Sequence, residues 1–73
     1  MISRAGWCSL QLASACISRD TDLLAEYAAH IITEFDARDI REIWQKAKAT
    51  LQLSDIRWMK QQLMILASDA IAA

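Results

Sequence analysis

The chain has 73 residues, of which 55% are hydrophobic, and its formal net charge is −1. A chain of this length forms one domain. The single glycine and the lack of proline argue against an all-β fold, whose tight turns depend on those residues. The near-neutral charge provides no overall positive field to attract nucleic acid. Composition therefore predicts one all-α domain with more apolar surface than so small a core absorbs, and we expect part of that surface to meet another chain.

Residues 1–20 differ from the rest of the chain, since they contain the only glycine, both cysteines and four serines. Their apolar residues scatter around a helical wheel instead of forming one stripe. This pattern predicts a weakly helical or irregular N-terminal segment, either an arm or a short helix, with Trp7 and Leu10 as the anchors if the segment packs as an arm. Two cysteines, Cys8 and Cys16, do not make a disulfide framework. Free thiols favour the reducing cytoplasm as the location of the protein.

The first predicted helix covers residues 21–35. Asp20 precedes it, and an aspartate side chain suits the N-cap position of a helix. The apolar residues that follow are three or four positions apart, which is the spacing of one helix face. That face consists of Leu24, Tyr27, Ala28, Ile31 and Phe35.

A second helix is predicted over residues 37–51, with an apolar stripe of Ile40, Ile43, Trp44, Ala47 and Leu51. Its apolar stripe is turned by roughly 160° from the stripe of the first helix, at about 100° per residue. Because one core cannot follow such a turn, the pattern predicts a break at residues 36–39, with Asp36 as the new N-cap. One continuous helix that presents its two stripes to two subunits is the alternative.

The third helix is predicted over residues 55–71, with Ser54 as its N-cap. Trp58 and Ile65 fall on a second apolar line, and a small domain rarely buries two separate faces of one short helix. The sequence thus predicts a three-helix bundle over residues 21–73, either as a monomer or as a helical homodimer. The main apolar seam of this helix consists of Ile56, Met59, Leu63, Leu66 and Ala70.

The sequence contains no recognisable catalytic or metal-binding motif. His30 is the only histidine, and no serine or cysteine lies close to it in the sequence to form a nucleophile–base pair. One glycine cannot build a phosphate-binding loop. Cys8, Cys16 and His30 lie at spacings unlike those of compact zinc motifs. We therefore expect a protein that is not an enzyme, takes no cofactor, metal or small-molecule substrate, and does not enter the membrane.

The surplus of apolar residues predicts a non-catalytic protein-interaction module, an adaptor, inhibitor or regulatory protein that acts through an exposed apolar face. We expect its partner to be another protein, a second copy of the chain, or both. Aromatic and methionine side chains are enriched at the centres of interfaces. The expected contact residues are Trp44, Trp58, Met64 and Ile65.

The alternative prediction is a DNA-binding regulator, because residues 47–63 resemble the second half of a helix-turn-helix motif. The resemblance implies that the helix over residues 55–63 reads the major groove with basic and amide side chains. The sequence departs from the motif at Lys48, where a small residue is usual, at Gln61, where an apolar one is usual, and in a turn without glycine. The expected nucleic-acid contacts are Lys46, Lys48, Arg57, Lys60 and Gln61.

Overall fold

The computed structural model describes the backbone of residues 1–72 and the side chains of residues 1–69. Within this range the chain is all-helical, which confirms the predicted class, and it packs as a small bundle. It contains four helices, so the prediction of three is wrong. They are α1 (Arg4–Ser18), α2 (Thr21–Glu34), α3 (Ala37–Ala49) and α4 (Leu53–Ala72).

The N-terminal segment is a regular helix, which corrects the prediction of a weakly helical or irregular start. Ser3 caps it, and the Ser3 Oγ accepts a hydrogen bond from the backbone nitrogen of Gly6 at 3.0 Å. Trp7 and Leu10, the expected anchors, are both exposed. The residues that α1 buries are mostly small ones: Cys8, Ser9, Leu12, Ala13, Ala15 and Cys16.

α1 is the central helix of the bundle, because α2, α3 and α4 all pack against it. Its buried residues all fall within one half of the helix circumference, and the opposite half exposes the large apolar side chains of Trp7, Leu10 and Ile17. This explains why residues 4–18 show no single apolar stripe. The core joins side chains from all four helices, namely Cys8, Leu12, Ala15, Cys16, Leu24, Ile31, Ile43, Ala47 and Met59.

The corner between α1 and α2 is built on Arg19, which has left-handed backbone angles, φ 54° and ψ 40°. The backbone nitrogen of Arg19 donates to the Cys16 carbonyl, and that of Asp20 donates to the Ala15 carbonyl. Helix ends of this kind more often use glycine at the left-handed position. Asp20 then caps α2 as predicted, with its Oδ1 3.0 Å from the backbone nitrogen of Leu23.

α2 and α3 are separate helices, as the change in stripe direction predicts. Phe35 is extended, with φ −125° and ψ 153°, and it ends α2. Asp36 accepts a hydrogen bond from the backbone nitrogen of Asp39 at 2.9 Å. The predicted N-cap at Asp36 is therefore confirmed, and the alternative of one continuous helix is wrong.

α4 begins at Leu53, so Ser54 lies inside its first turn and the prediction of Ser54 as the cap is wrong. The carbonyl of Gln52 accepts hydrogen bonds from the backbone nitrogens of Asp55 and Ile56. The Asp55 carboxylate in turn accepts one from the backbone nitrogen of Gln52, at 3.2 Å. A carboxylate at the third helical position commonly reaches back in this way, and Gln52 holds the cap position that was expected for Ser54.

Candidate partner-binding groove

An apolar groove lies between α2 and α4, and one side chain of α3 joins its lining. Its volume is about 640 Å³, within the range of roughly 300–1,000 Å³ in which most ligand pockets fall. The residues around it are all apolar: Ala25, Ala28, Ala29, Ile32, Trp44, Leu63, Leu66 and Ala67. We call this feature the α2–α4 groove.

The groove is open because the apolar seam of α4 continues beyond the helices that cover it. Met59, Leu63 and Leu66 follow one another on one face of α4. Met59 is 1% exposed, Leu63 is half-buried and Leu66 is 37% exposed. The same helix face is thus core at the start of α4 and surface farther along it.

α2 forms the opposite wall of the groove with small side chains. Ala25, Ala29 and Ile32 lie at steps of four and three beside the core-facing Ala28. Ile32 is 65% exposed. Alanine side chains let a neighbouring helix approach at the short end of the roughly 8–10 Å axis separations found between packed helices. The wall therefore suits close contact with another helix.

One acidic residue of α2, Asp22, lies beside the wall of the groove. α2 carries Asp22, Glu26 and Glu34 but no lysine or arginine. Glu34 is paired with Arg4 of α1 at 3.5 Å. Asp22 lies one turn before Ala25 on the same side of α2, so its charge lies at the end of the apolar wall.

The structure places the four predicted contact residues in different environments. Trp44 is half-buried and lines the α2–α4 groove. Trp58 is half-buried beneath Arg19, whose guanidinium carbon lies 5.2 Å from the centre of the indole ring. Met64 and Ile65 are exposed on α4 outside the groove lining. Trp44 is thus the one member of this set that the groove includes.

Arg19 covers Trp58, which is one of the two residues on the second apolar line of α4. Its Nη1 lies 2.9 Å from the Oδ1 of Asp55 and donates to the Cys16 carbonyl at 2.7 Å. These contacts hold the guanidinium over Trp58. The protein's own α1 end therefore covers Trp58, and Ile65 is the part of that line that remains exposed.

Most of the groove is not predictable from the sequence, because alanines give a weak apolar signal. Ile32 was the available clue, since it lies to one side of the main α2 stripe. Ala25 and Ala29 lie on that same side. Leu66 was assigned to the core seam, and only the packing shows that the seam is uncovered there.

The residues of the DNA-binding alternative are all exposed, on the last turns of α3 and on α4. The helices of a helix-turn-helix pack against each other across a short turn. In this chain α3 packs chiefly against α1. The basic side chains therefore lie on two helices that do not form the compact helix pair of that motif. They are Lys46, Lys48, Arg57 and Lys60, with Gln61 beside them.

The two cysteines are free thiols in the core. The pKa of Cys16 is raised to about 11, chiefly by burial and also by the charge of Asp55, while Arg19 opposes the shift. Burial also raises the pKa of the Cys8 thiol, against the opposing charge of Arg4. The thiolate is the nucleophilic form of cysteine, so at neutral pH both side chains act as packing residues.

Within residues 1–69, no three histidine, cysteine, aspartate or glutamate side chains come close enough together to hold a metal ion. None of the helices in the described part of the chain has the length and apolar content needed to cross a bilayer. In comparisons with known proteins, no family model, no curated protein and no solved structure matches the chain.

Proposed function

We propose that this protein is a non-catalytic interaction module, an adaptor, inhibitor or regulator, that binds an amphipathic helix of a partner protein in the α2–α4 groove. The open end of the α4 seam carries the proposal. Leu63 and Leu66 continue a core face into a groove with an entirely apolar lining. A further helix placed there turns this exposed face into packed interior.

A helix is the shape that the groove fits best, because two helices form its walls. Amphipathic helices bind such grooves through apolar residues spaced by one face of the helix. Ile32 and Leu66 offer the largest exposed apolar surfaces on the two walls. Full burial of a side chain of this size contributes about 1.5–3 kcal/mol, so a few such contacts suffice for specific binding.

The charges favour a partner helix with basic residues beside its apolar stripe. Asp22 lies at the α2 edge of the groove, and α2 contains no lysine or arginine. The competing occupant is α4 of a second copy of this chain. Residues 61–72 contain no basic residue and one acid, Asp69, so a second copy brings no positive charge to that edge. Complementary charge across an interface governs partner choice.

The site of partner binding is tested with a photo-cross-linking amino acid in place of Ala29. The full chain that carries it is produced in its native host. The matched control carries the same group in place of Ser14, which is exposed on α1 and outside the groove. We expect a conjugate with another protein from position 29 and none from position 14. The cross-linked peptide is then identified by mass spectrometry.

The cross-linked segment, made as a synthetic peptide, is titrated into the purified protein. We expect a helical peptide with lysine or arginine beside its apolar stripe. Ile32→Glu and Leu66→Glu should each weaken binding about tenfold or more, because each places a charge in an apolar contact. Met64→Glu is the matched control, since Met64 is exposed on α4 but outside the groove lining, and it should leave the affinity unchanged.

Three results contradict the proposal, and the first two of them each identify an alternative. Cross-links from position 29 that join only two copies of this chain show that the groove is a homodimer contact. Salt-dependent binding to duplex DNA, lost when Arg57→Ala is combined with Lys60→Ala, supports the DNA-binding alternative. Equal cross-linking from positions 14 and 29 shows that the groove is not a preferred contact surface.

A further inference from the structure

A second and smaller pocket lies on another side of α2, where α1 and α2 meet. Its volume is about 240 Å³, and it is lined by Trp7, Glu26, Tyr27 and His30. This is below the roughly 300–1,000 Å³ of pockets that hold drug-sized molecules, so it fits a small head group or the end of a side chain. It shares no lining residue with the α2–α4 groove.

The lining combines aromatic rings with a carboxylate. The faces of tryptophan and tyrosine rings attract a cation that lies within about 6 Å of the ring centre, and this is how proteins bind quaternary ammonium groups. Glu26 adds a full negative charge. Among the described side chains, residues 1–69, Glu26 is in neither of the two ion pairs of the chain, Arg4–Glu34 and Arg19–Asp55.

The tyrosine and tryptophan rings at the pocket differ in their exposure to solvent. Tyr27 is half-buried, and its ring meets the His30 ring edge-on, with centres 6.1 Å apart and planes at 69°. Trp7 remains 51% exposed although it lies on the central helix. The folded core thus fixes one ring of the pocket and leaves the indole surface open to solvent.

The charges around the pocket are also those that a cation requires. α2 carries only acidic charged side chains apart from His30. The nearby Arg4 of α1 is engaged elsewhere, since it pairs with Glu34 at 3.5 Å and lies 5.5 Å from the centre of the Phe35 ring. The guanidinium of Arg4 therefore contacts Glu34 and Phe35, and not Glu26.

We infer that the pocket formed by Trp7, Glu26, Tyr27 and His30 binds an alkylammonium head group, from a small quaternary ammonium molecule or from the lysine side chain of a partner. The two aromatic rings hold the head group by cation–π attraction, and the carboxylate of Glu26 balances its charge. The inference does not depend on the proposed function, because the pocket and the groove involve different residues of α2.

The test titrates the full chain with tetramethylammonium chloride and with n-butylammonium chloride, which has the shape of a lysine side-chain end. Sodium chloride at equal ionic strength is the control, and one pH is kept throughout so that the salts are compared under equal conditions. The measured quantity is the chemical shift of the Trp7 indole N–H, assigned by its absence in Trp7→Phe. We expect a saturable shift with an ammonium salt and none with sodium, and the tighter of the two salts identifies the source of the head group.

Variants distinguish cation binding in this pocket from general attraction to the negative charge of α2. Glu26→Gln should weaken binding about three- to fivefold, whereas Asp22→Asn, which removes another exposed acid of the same helix, should change it less than about twofold. Trp7→Ala, followed through the His30 ring signals, should weaken it about two- to fivefold. The absence of a saturable shift beyond that of sodium chloride overturns the inference. Equal losses in Glu26→Gln and Asp22→Asn also overturn it, because they show that only diffuse charge attracts the cation.

Discussion

The guanidinium group of Arg19 lies over the indole ring of Trp58, 5.2 Å from the ring centre, and joins the end of α1 to the first turns of α4. The same group contacts the Asp55 carboxylate at 2.9 Å. The backbone of Arg19 has a left-handed φ of 54°, which costs a non-glycine residue about 1–2 kcal/mol. Its side chain and its backbone thus affect stability in opposite directions.

Replacing Arg19 by alanine and by glycine separates these two effects. Arg19→Ala removes the side-chain contacts and keeps the backbone cost, so we expect the free energy of unfolding to fall by about 1–2 kcal/mol. Arg19→Gly loses the same contacts but relieves the backbone, so it should be more stable than Arg19→Ala by about 1 kcal/mol. Urea titration measures both differences. Equal stabilities of the two variants would contradict a backbone cost at this position.

Ser9 tests the contact between α1 and α3. Its buried hydroxyl lies 3.1 Å from the Ala5 carbonyl and 3.2 Å from the Ile43 carbonyl, and its single proton serves one of them at a time. Ser9→Ala should lower the free energy of unfolding by about 0.5–1.5 kcal/mol, the net value of one hydrogen bond. Ser9→Leu should cost about 1–3 kcal/mol more, because the larger side chain separates the two helices. Chemical denaturation gives both values, and a leucine variant as stable as the alanine variant would show that the contact is loose.

The raised pKa of the Cys16 thiol predicts a loss of stability in alkaline solution. In the folded chain burial raises the thiol pKa from 9.0 to about 11. Between these two values the unfolded chain releases the proton while the folded chain retains it. The free energy of unfolding attributable to Cys16 therefore falls as the pH rises from about 9 to about 11 and is constant above that, at about 1.4 kcal/mol for each unit of difference.

Unfolding of the parent chain and of Cys16→Ala, compared at several pH values, isolates this effect from the titration of lysine and tyrosine. We expect the difference in stability between the two proteins to shrink as the pH rises, because only the parent chain carries the thiol. A difference that stays constant across the alkaline range would mean that the Cys16 thiol ionises as readily in the folded chain as in the unfolded chain.

Asp36 tests the start of α3. Asp36→Ala removes the hydrogen bond to the backbone nitrogen of Asp39 and should lower the free energy of unfolding by about 1 kcal/mol. Asp36→Asn keeps a side-chain oxygen that caps nearly as well, so it should cost a few tenths of a kcal/mol. Thermal unfolding followed by circular dichroism gives both values. Similar losses in the two variants would show that the charge, and not the hydrogen bond, stabilises this helix end.

The break between α2 and α3 was predictable because each of these helices turns one face to the core. The buried residues of α2, Leu24, Ala28 and Ile31, all lie on the predicted stripe, and so do Ile43 and Ala47 of α3. Periodicity detects this one-sided arrangement directly. The caps at the two helix starts follow from local aspartates, and local hydrogen bonds need no knowledge of the fold.

The same reasoning failed for α1 and for the start of α4. The buried half of α1 consists mostly of small residues such as Ser9 and Ala15, while its exposed half carries the larger apolar side chains of Trp7 and Leu10, so the apolar pattern does not mark the buried face. α4 begins two residues before the predicted start at residue 55, and the carboxylate of Asp55 accepts a hydrogen bond from the backbone nitrogen of Gln52. Neither outcome depends on spacing alone.

The candidate sites were the least predictable features, because they depend on what packing leaves uncovered. Leu66 belongs to the same periodic seam as the buried Met59. The sequence does not show that the other helices cover Met59 and leave Leu66 exposed. The small pocket needs Trp7 of α1 to meet Glu26 and Tyr27 of α2. Only the turn at Arg19 brings those two helix faces together.

The uneven burial of α4 gives one helix two different thermodynamic stabilities. Amides near the fully buried Met59 should exchange with solvent only when the whole domain unfolds, whereas amides near the exposed Ala67 need only a local opening. A helix bound beside Leu63 and Leu66 would remove that difference, so slower hydrogen exchange in the second half of α4 would report occupancy of the groove before any partner is identified.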